Sequence, residues 1–336
     1  MAVKKMGSQT VRLLNPPSII STATIVGPKE GEGPLARYFD KILNDDMFGE
    51  DSWEKAESKL TRESVKAALN KAKLNETDME YMFGGDLLNQ LMPTSFAARD
   101  LQIPFFGLYG ACSNMTESLI LAAMTIDGGY ADNVVVTTSS HFSTAERQFR
   151  FPLESGVQRP LTSQWTVTGS GSAIVSATGD GPYITYATTG KVVDFGVKDA
   201  TNMGAAMAPA AVDTIKTHLN DTGFSTDDYD LIITGDLGRI GFEIALELMQ
   251  KEGYDLTGVF KDCGLEIFDI ERQDTHSGGS GCGCSAVVFC GYLYEQLTLK
   301  DLKKIMLVTT GALLSPTSSL QGESIPCIAH AITIES

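Results

Sequence analysis

Basic residues are scarce in this chain. Lys and Arg total 26 against 42 Asp and Glu, a formal net charge of −16, and no Lys/Arg-rich block offsets it, which excludes a phosphate backbone and with it nucleic acid as a partner. An anionic lipid surface repels the chain on the same ground, so association with a membrane is expected to run through a protein. Long hydrophobic runs are missing as well: SAVVFCGYLY at residues 285–294 falls short of the ~18 to 20 residues that a membrane span requires. Ser8, Gln9, Arg12 and Asn15 interrupt the stretch where a signal-peptide core would lie, so no secretion signal is read. Cysteines stand only at 112, 263, 282, 284, 290 and 327. That set is too sparse and irregular for a disulfide framework and reads as free thiols, with the cytoplasm as the expected place of synthesis. GxxxxGK[ST], GxGxxG and paired CxxC motifs are all absent, which leaves no phosphate-loop, dinucleotide or zinc signature.

What is present is a packed globular composition. The 336 residues are 43% hydrophobic with 15 Phe and 12 Met, enough for about two domains or one duplicated one.

A duplication is visible. EYMFGGDL at 80–87 matches DLIITGDL at 230–237, each an apolar strand ending in Gly-Asp-Leu. NVVVTTSS at 133–140 matches IMLVTTGA at 305–312, which sets Thr137 and Thr138 on Thr309 and Thr310. The second spacing, carried back without gaps, sets Cys112 on Cys284 and Ser113 on Ser285. Two ordered matches argue for two halves, 1–180 and 181–336. In the first half, helices are predicted over 62–73 and 113–127 and strands over 79–83, 133–138 and 171–177. In the second, helices are predicted over 206–219, 242–251 and 285–297, and strands over 183–194, 231–234, 266–270, 305–309 and 328–334. Strands alternating with helices imply α/β layers, and the all-apolar strands VVV and MLV fit sheets covered on both faces.

Three segments carry candidate chemistry. Cys112 opens a helix with almost no polar face, so its start lies inside the protein, where the helix dipole favours thiolate; the same position also suits a small buried apolar residue. The glycine-rich stretch DTHSGGSGCGCSAVV at 274–288 brings backbone close to a ligand or a second helix, with His276, Gly278 and Gly279 at its centre. Arg147, Arg150 and Arg159 fall close together among Phe149, Phe151 and Trp165. Guanidinium forks and aromatic faces suit a planar acidic ligand, although these arginines can equally pair with Glu146 and Glu154. His141 and His218 receive no role, and His218 is assigned to a solvated helix face.

GACSNMTES at 110–118 resembles the nucleophile motif of the thiolase and ketoacyl-synthase superfamily, and TVTGSGSAIVS at 166–176 resembles its glycine-rich entry to the last strand of the first half. The resemblance covers nearly the whole chain and implies an α/β thiolase-like fold, with two duplicated βαβαβαββ halves in a five-layered α/β/α/β/α arrangement and a homodimer. ERQFRFP, QRPLTSQWTVTGSG and THSGGSGCGCS resemble, more narrowly, a thiolase-like family of the stage V sporulation operon of endospore formers. That resemblance implies binding of dipicolinic acid, pyridine-2,6-dicarboxylic acid, and its uptake into the developing spore alongside membrane proteins of the same operon, at the spore inner membrane.

Condensing enzymes of the superfamily pair the cysteine with a histidine after the middle strand of the second half and with a His or Asn in a later glycine-rich loop. Here the first place reads Thr234-Gly235-Asp236 and the second His276-Ser277-Gly278-Gly279. A Claisen condensation needs groups that activate the thiol and polarise the thioester, and two imidazoles are not at hand. The expectation is therefore a non-catalytic binding protein with Cys112, Asp236, His276, Gly278, Gly279 and the arginines 147, 150 and 159 around the ligand, no cofactor, and calcium entering only with the dipicolinate. An acyltransferase using Cys112 and a docking scaffold for a membrane channel are the alternatives.

Overall fold

The computed structural model describes residues 3–149 and 158–336. In the first half the strands are β1 (Ser18–Val26), β2 (Tyr81–Gly85), β3 (Phe105–Gly107), β4 (Asn133–Ser140), β5 (Trp165–Thr166) and β6 (Gly169–Ser176). Its helices are α1 (Trp53–Ala72), α2 (Met92–Leu101), α3 (Asn114–Asp127) and α4 (Phe142–Phe149). The second half supplies strands β7 (Tyr183–Thr188), β8 (Leu231–Thr234), β9 (Phe260–Asp262), β10 (Gly279–Ser280), β11 (Lys304–Ala312) and β12 (Cys327–Glu335), with helices α5 (Met203–Thr222), α6 (Gly238–Lys251) and α7 (Cys282–Val288).

The duplication seen in the sequence is repeated in the sheets. One runs β3-β2-β4-β6-β1 and the other β9-β8-β11-β12-β7. In each, the first three strands pair in parallel and the last two pairings are antiparallel, so only the fourth strand runs against the others. A single pairing, Tyr183 with Ser18, joins them. Helix α3 packs against β4 on one side and β11 and β12 on the other, while α7 covers β4 and β6. These two helices form the middle layer, α1 and α2 cover the outside of the first sheet, and α5 and α6 cover the outside of the second. That is the expected five-layered α/β/α/β/α arrangement. Helix α3 is apolar through its middle, Leu119 to Met124, because it has a sheet on both sides, and Met115, Leu119, Ala122 and Ala123 are fully buried.

Local differences from the sequence pattern have physical causes. Helix α1 starts nine residues before the predicted 62, at a Ser52 N-cap whose hydroxyl accepts from the Lys55 N–H at 3.3 Å. The strand expected at 266–270 is instead β9, upstream, followed by the helical turn Cys263–Glu266. The Asp262 carboxylate ends β9 by accepting from the Leu237 and Gly238 N–H groups (2.8 and 3.0 Å) and the Thr234 hydroxyl (2.7 Å). His218 is not on a solvated face: it is fully buried on α5, bridging the Thr188 hydroxyl (2.7 Å) and the Tyr229 hydroxyl (2.8 Å), and burial lowers its pKa to about 4.

Candidate functional site

Cys112 sits in a single 3-10 turn, Ala111–Ser113, that feeds α3. The turn is strained, with Ala111 at φ 50°, and is held by its neighbours. Ser113 donates to Gly110 O (2.7 Å), the Gly110 N–H donates to Asn114 Oδ1 (2.6 Å), and Thr309 of β11 donates to Ser113 O (2.8 Å). Two glycines let the halves approach here: a β-carbon on Gly311 would lie 2.1 Å from Gly110 O. The repeat partner of Thr309-Thr310 serves the pseudo-equivalent helix, Thr138 donating to Cys282 O at 3.3 Å.

Asp236, two residues past β8, meets Cys112. Its fully buried carboxylate accepts from the Ser280 hydroxyl (3.1 Å), the Gly281 N–H (3.0 Å) and the Thr310 hydroxyl (3.0 Å), and it lies beside the Cys112 thiol. Burial raises the Asp236 pKa. The Cys112 thiol is also pushed well above its usual value, first by burial, then by the Asp236 charge, with Cys282 and the hydrogen bond to Asp236 adding to it. Of the two readings open from the sequence, burial and the neighbouring carboxylate oppose the helix-start thiolate, and Cys112 sits as a small buried residue.

Cys112 lines a cleft between the two halves. Leu87, Tyr109, Phe149, Met203 and Leu314 make it largely apolar, and Glu146, Gln164, Thr166, Thr201 and Ser280 supply polar atoms. One wall is the parallel pair β5 and β10. Gln164 stitches this wall to the Asp236 loop, donating to Asp236 O (2.7 Å) and Gly279 O (2.8 Å). Strand alternation turns Trp165 away from Gln164 and Thr166, onto the far face, where it stacks on Phe142 with centroids 3.8 Å apart.

The other expected contacts fall elsewhere. His276 has its Nδ1 2.9 Å from Pro160 O and its Nε2 2.9 Å from Asp274 Oδ1, and it does not line the cleft. Arg159 also pairs with Asp274 (3.1 Å) and lies over Trp165 on the far face of the wall. Arg147 pairs with Glu54 and lies over the Trp53 ring. Arg150 lies outside the described residues. Gly278, at φ 110°, and Gly279 shape the wall through backbone, accepting from the Trp165 N–H (2.8 Å) and from Gln164 respectively. Cys112 and Asp236 are therefore brought together, and His276, Arg147 and Arg159 are held away by partners of their own. None of the chain's four histidines lines the cleft; His141 has its Nε2 2.8 Å from Asp46 O.

Residues the sequence reading passed over are Gln164 and a buried carboxylate pair behind the cleft. Asp86 accepts from the Leu88 and Thr94 N–H groups (2.8 and 2.9 Å) and the Thr94 hydroxyl (2.6 Å), and burial raises its pKa to about 6. Glu57 accepts from Thr144 (2.8 Å) and Ser139 (3.3 Å), and burial followed by the Asp86 charge raises it strongly. The duplicated Gly-Asp-Leu was a signal for Asp86, since it is the repeat partner of Asp236. Gln164 carried no such signal.

A family model described as stage V sporulation protein AD (SpoVAD) matches residues 7–335. Stage V sporulation protein AD of Bacillus subtilis (strain 168) is 45% identical over 333 residues, 99% of this chain and 98% of that protein. Among solved structures, 3-oxoacyl-[acyl-carrier-protein] synthase III from Aquifex aeolicus VF5 superposes with a TM-score of 0.58 at 14% identity, covering 95% of this chain and 100% of that one. Xanthomonas campestris OleA E117Q superposes with a TM-score of 0.61 at 14% identity, covering 98% and 99%.

Proposed function

The chain belongs to the stage V sporulation protein AD family and has the thiolase-like fold of the condensing enzymes, and from that premise we propose that it is a non-catalytic binding protein for dipicolinic acid, serving its uptake into the developing spore. The observation that carries the reading is the Cys112–Asp236 contact. Where the resemblance calls for an imidazole to activate the thiol, burial and a neighbouring carboxylate favour its protonated form, and a protonated thiol is a poor acyl acceptor. The cleft itself is kept: apolar walls from Leu87, Tyr109, Phe149 and Met203 suit a flat ring, with a few polar atoms to orient it.

Calcium, when it accompanies the ligand, rides on the ligand's own ring nitrogen and carboxylates; among the described residues no group of three His, Cys, Asp or Glu can hold a metal. No helix of the described residues is long and apolar enough to cross a membrane, so we assign the association with the spore inner membrane to the operon's membrane proteins as partners. A homodimer would form along the outer edge of β3, where Phe106 is 53% exposed beside Tyr81 and Phe83. Calorimetry with pyridine-2,6-dicarboxylate tests the central claim: a saturable 1:1 isotherm supports it, and no heat or affinity from folded protein rejects it.

A further inference from the structure

We infer that the cleft takes the dicarboxylate as a monoanion that keeps one proton, and that Gln164 is the specificity-determining residue that accepts a hydrogen bond from it. This rests on the dipicolinate reading above and adds the ligand's protonation state. The argument is an inventory of donors and acceptors. The Gln164 amide nitrogen lies 2.7 and 2.8 Å from two backbone carbonyl oxygens, Asp236 O and Gly279 O. Carbonyls only accept, so the NH2 must face them and the amide cannot be turned round. The Gln164 oxygen therefore faces the other way, toward the cleft the residue lines, and has no hydrogen-bond partner among the described residues.

Two hydroxyls of the lining are similarly committed. Ser280 donates its proton to Asp236 (3.1 Å) and Thr201 donates its own to Asp199 (2.7 Å). Each keeps only lone pairs for a ligand. Among the described residues, Gln164, Ser280 and Thr201 thus present acceptors to the cleft, and Thr166 and Tyr109 are left as hydroxyls without a hydrogen bond to another described residue. A dianion would set carboxylate oxygens against the Gln164 oxygen and leave an acceptor buried without a partner, which costs more than a missing contact. A ligand that keeps one N–H or O–H satisfies it, and its remaining carboxylate can take the Thr166 and Tyr109 hydroxyls.

The titratable groups around Gln164 are Glu146 of α4, Tyr109 and Cys112 in the lining, and Asp236 beyond β8, with Cys282 at the start of α7 behind Cys112's turn, against Ala111. Lys29, Arg159 and His276 lie around Trp165 and Asp274 on the other face of the wall. The proton can therefore sit on the ligand or on Glu146 or Asp236, and the test separates these cases.

Wild-type protein is titrated between pH 7 and 9 with pyridine-2,6-dicarboxylate, in buffers of different ionisation enthalpy, and with 6-carbamoylpyridine-2-carboxylate, whose amide N–H donor is permanent. The diacid should bind with uptake of one proton and lose affinity about tenfold per pH unit, while the mono-amide binds with no uptake and no slope. Gln164→Leu should weaken both ligands at least tenfold; because that change also removes two wall hydrogen bonds, its folding is checked by circular dichroism, and the wild-type arms stand without it. A flat diacid profile without proton uptake, a mono-amide with the diacid's slope, or tighter diacid binding in saturating calcium would each overturn the inference while leaving dipicolinate binding intact. Failure of both ligands to bind wild type would instead remove the functional reading beneath it.

Discussion

The thiol of Cys112 lies beside the carboxyl group of Asp236, so the one cysteine at the head of the central helix faces an acidic group in a buried site. A thiol there has every reason to stay protonated: water is excluded, and ionisation would set two anions side by side.

Asp236→Asn should therefore wake the cysteine. Removing the charge lowers the Cys112 pKa, and alkylation by iodoacetamide at pH 8, followed by mass spectrometry, should quicken by roughly tenfold. Wild-type Cys112 should react far more slowly than free cysteine and acquire no acyl mass from acyl-CoA. A fast wild-type reaction, or a stable acyl adduct, speaks for the acyltransferase alternative.

Filling the cleft should abolish binding without unfolding the chain. Ala200 lines the space at a partly exposed position, so Ala200→Trp places its ring in the ligand's volume with little to displace. Affinity for dipicolinate should fall at least ~10-fold, with the melting temperature within a few degrees of wild type. Unchanged affinity would put the ligand elsewhere.

Stability should decline on the alkaline side because of Glu30. Its Oε1 accepts from the Thr168 N–H (3.0 Å), its Oε2 is buried with no partner, and burial raises the pKa from 4.5 to about 8. The folded state holds a proton that the unfolded chain has released, so the contribution is fully present below pH 4.5 and is lost as pH rises through about 8. Glu30→Gln should flatten urea-unfolding stability between pH 5 and 9 and leave the variant more stable than wild type at pH 9 by on the order of 2–4 kcal/mol. An identical pH profile for both proteins would contradict this.

Gly311→Ala should damage both fold and site. The new methyl would press on Gly110 O at 2.1 Å, forcing β11 away from the turn that carries Cys112. A loss of roughly 2 kcal/mol or more in denaturant unfolding, with weaker dipicolinate binding, is expected; a neutral change would mean that the two halves are less tightly apposed here.

The layered architecture could be read before any coordinates because repetition and periodicity are local in the chain. Gly-Asp-Leu after two strands, and Thr-Thr within two others, marked the halves, and the apolar run of α3 announced a helix enclosed on all sides. The broad pattern needed no tertiary information. Boundaries were less legible: the start of α1 depended on a serine cap and the place of β9 on a single buried carboxylate, neither of which shows in hydrophobic pattern.

The site divides along the same line. Local pattern gave Cys112 at a helix start and a glycine-rich loop, and the resemblance to condensing enzymes marked Asp236 as standing where they carry an imidazole. Which of these meet was decided only when the two halves closed on one another. Folding set Asp236 against the sulfur, tied His276 and Arg159 to Asp274 and Arg147 to Glu54, and turned the Gln164 oxygen toward the cleft. A side chain's charge is written in the chain, but its partner depends on distances of a few ångströms that only packing establishes.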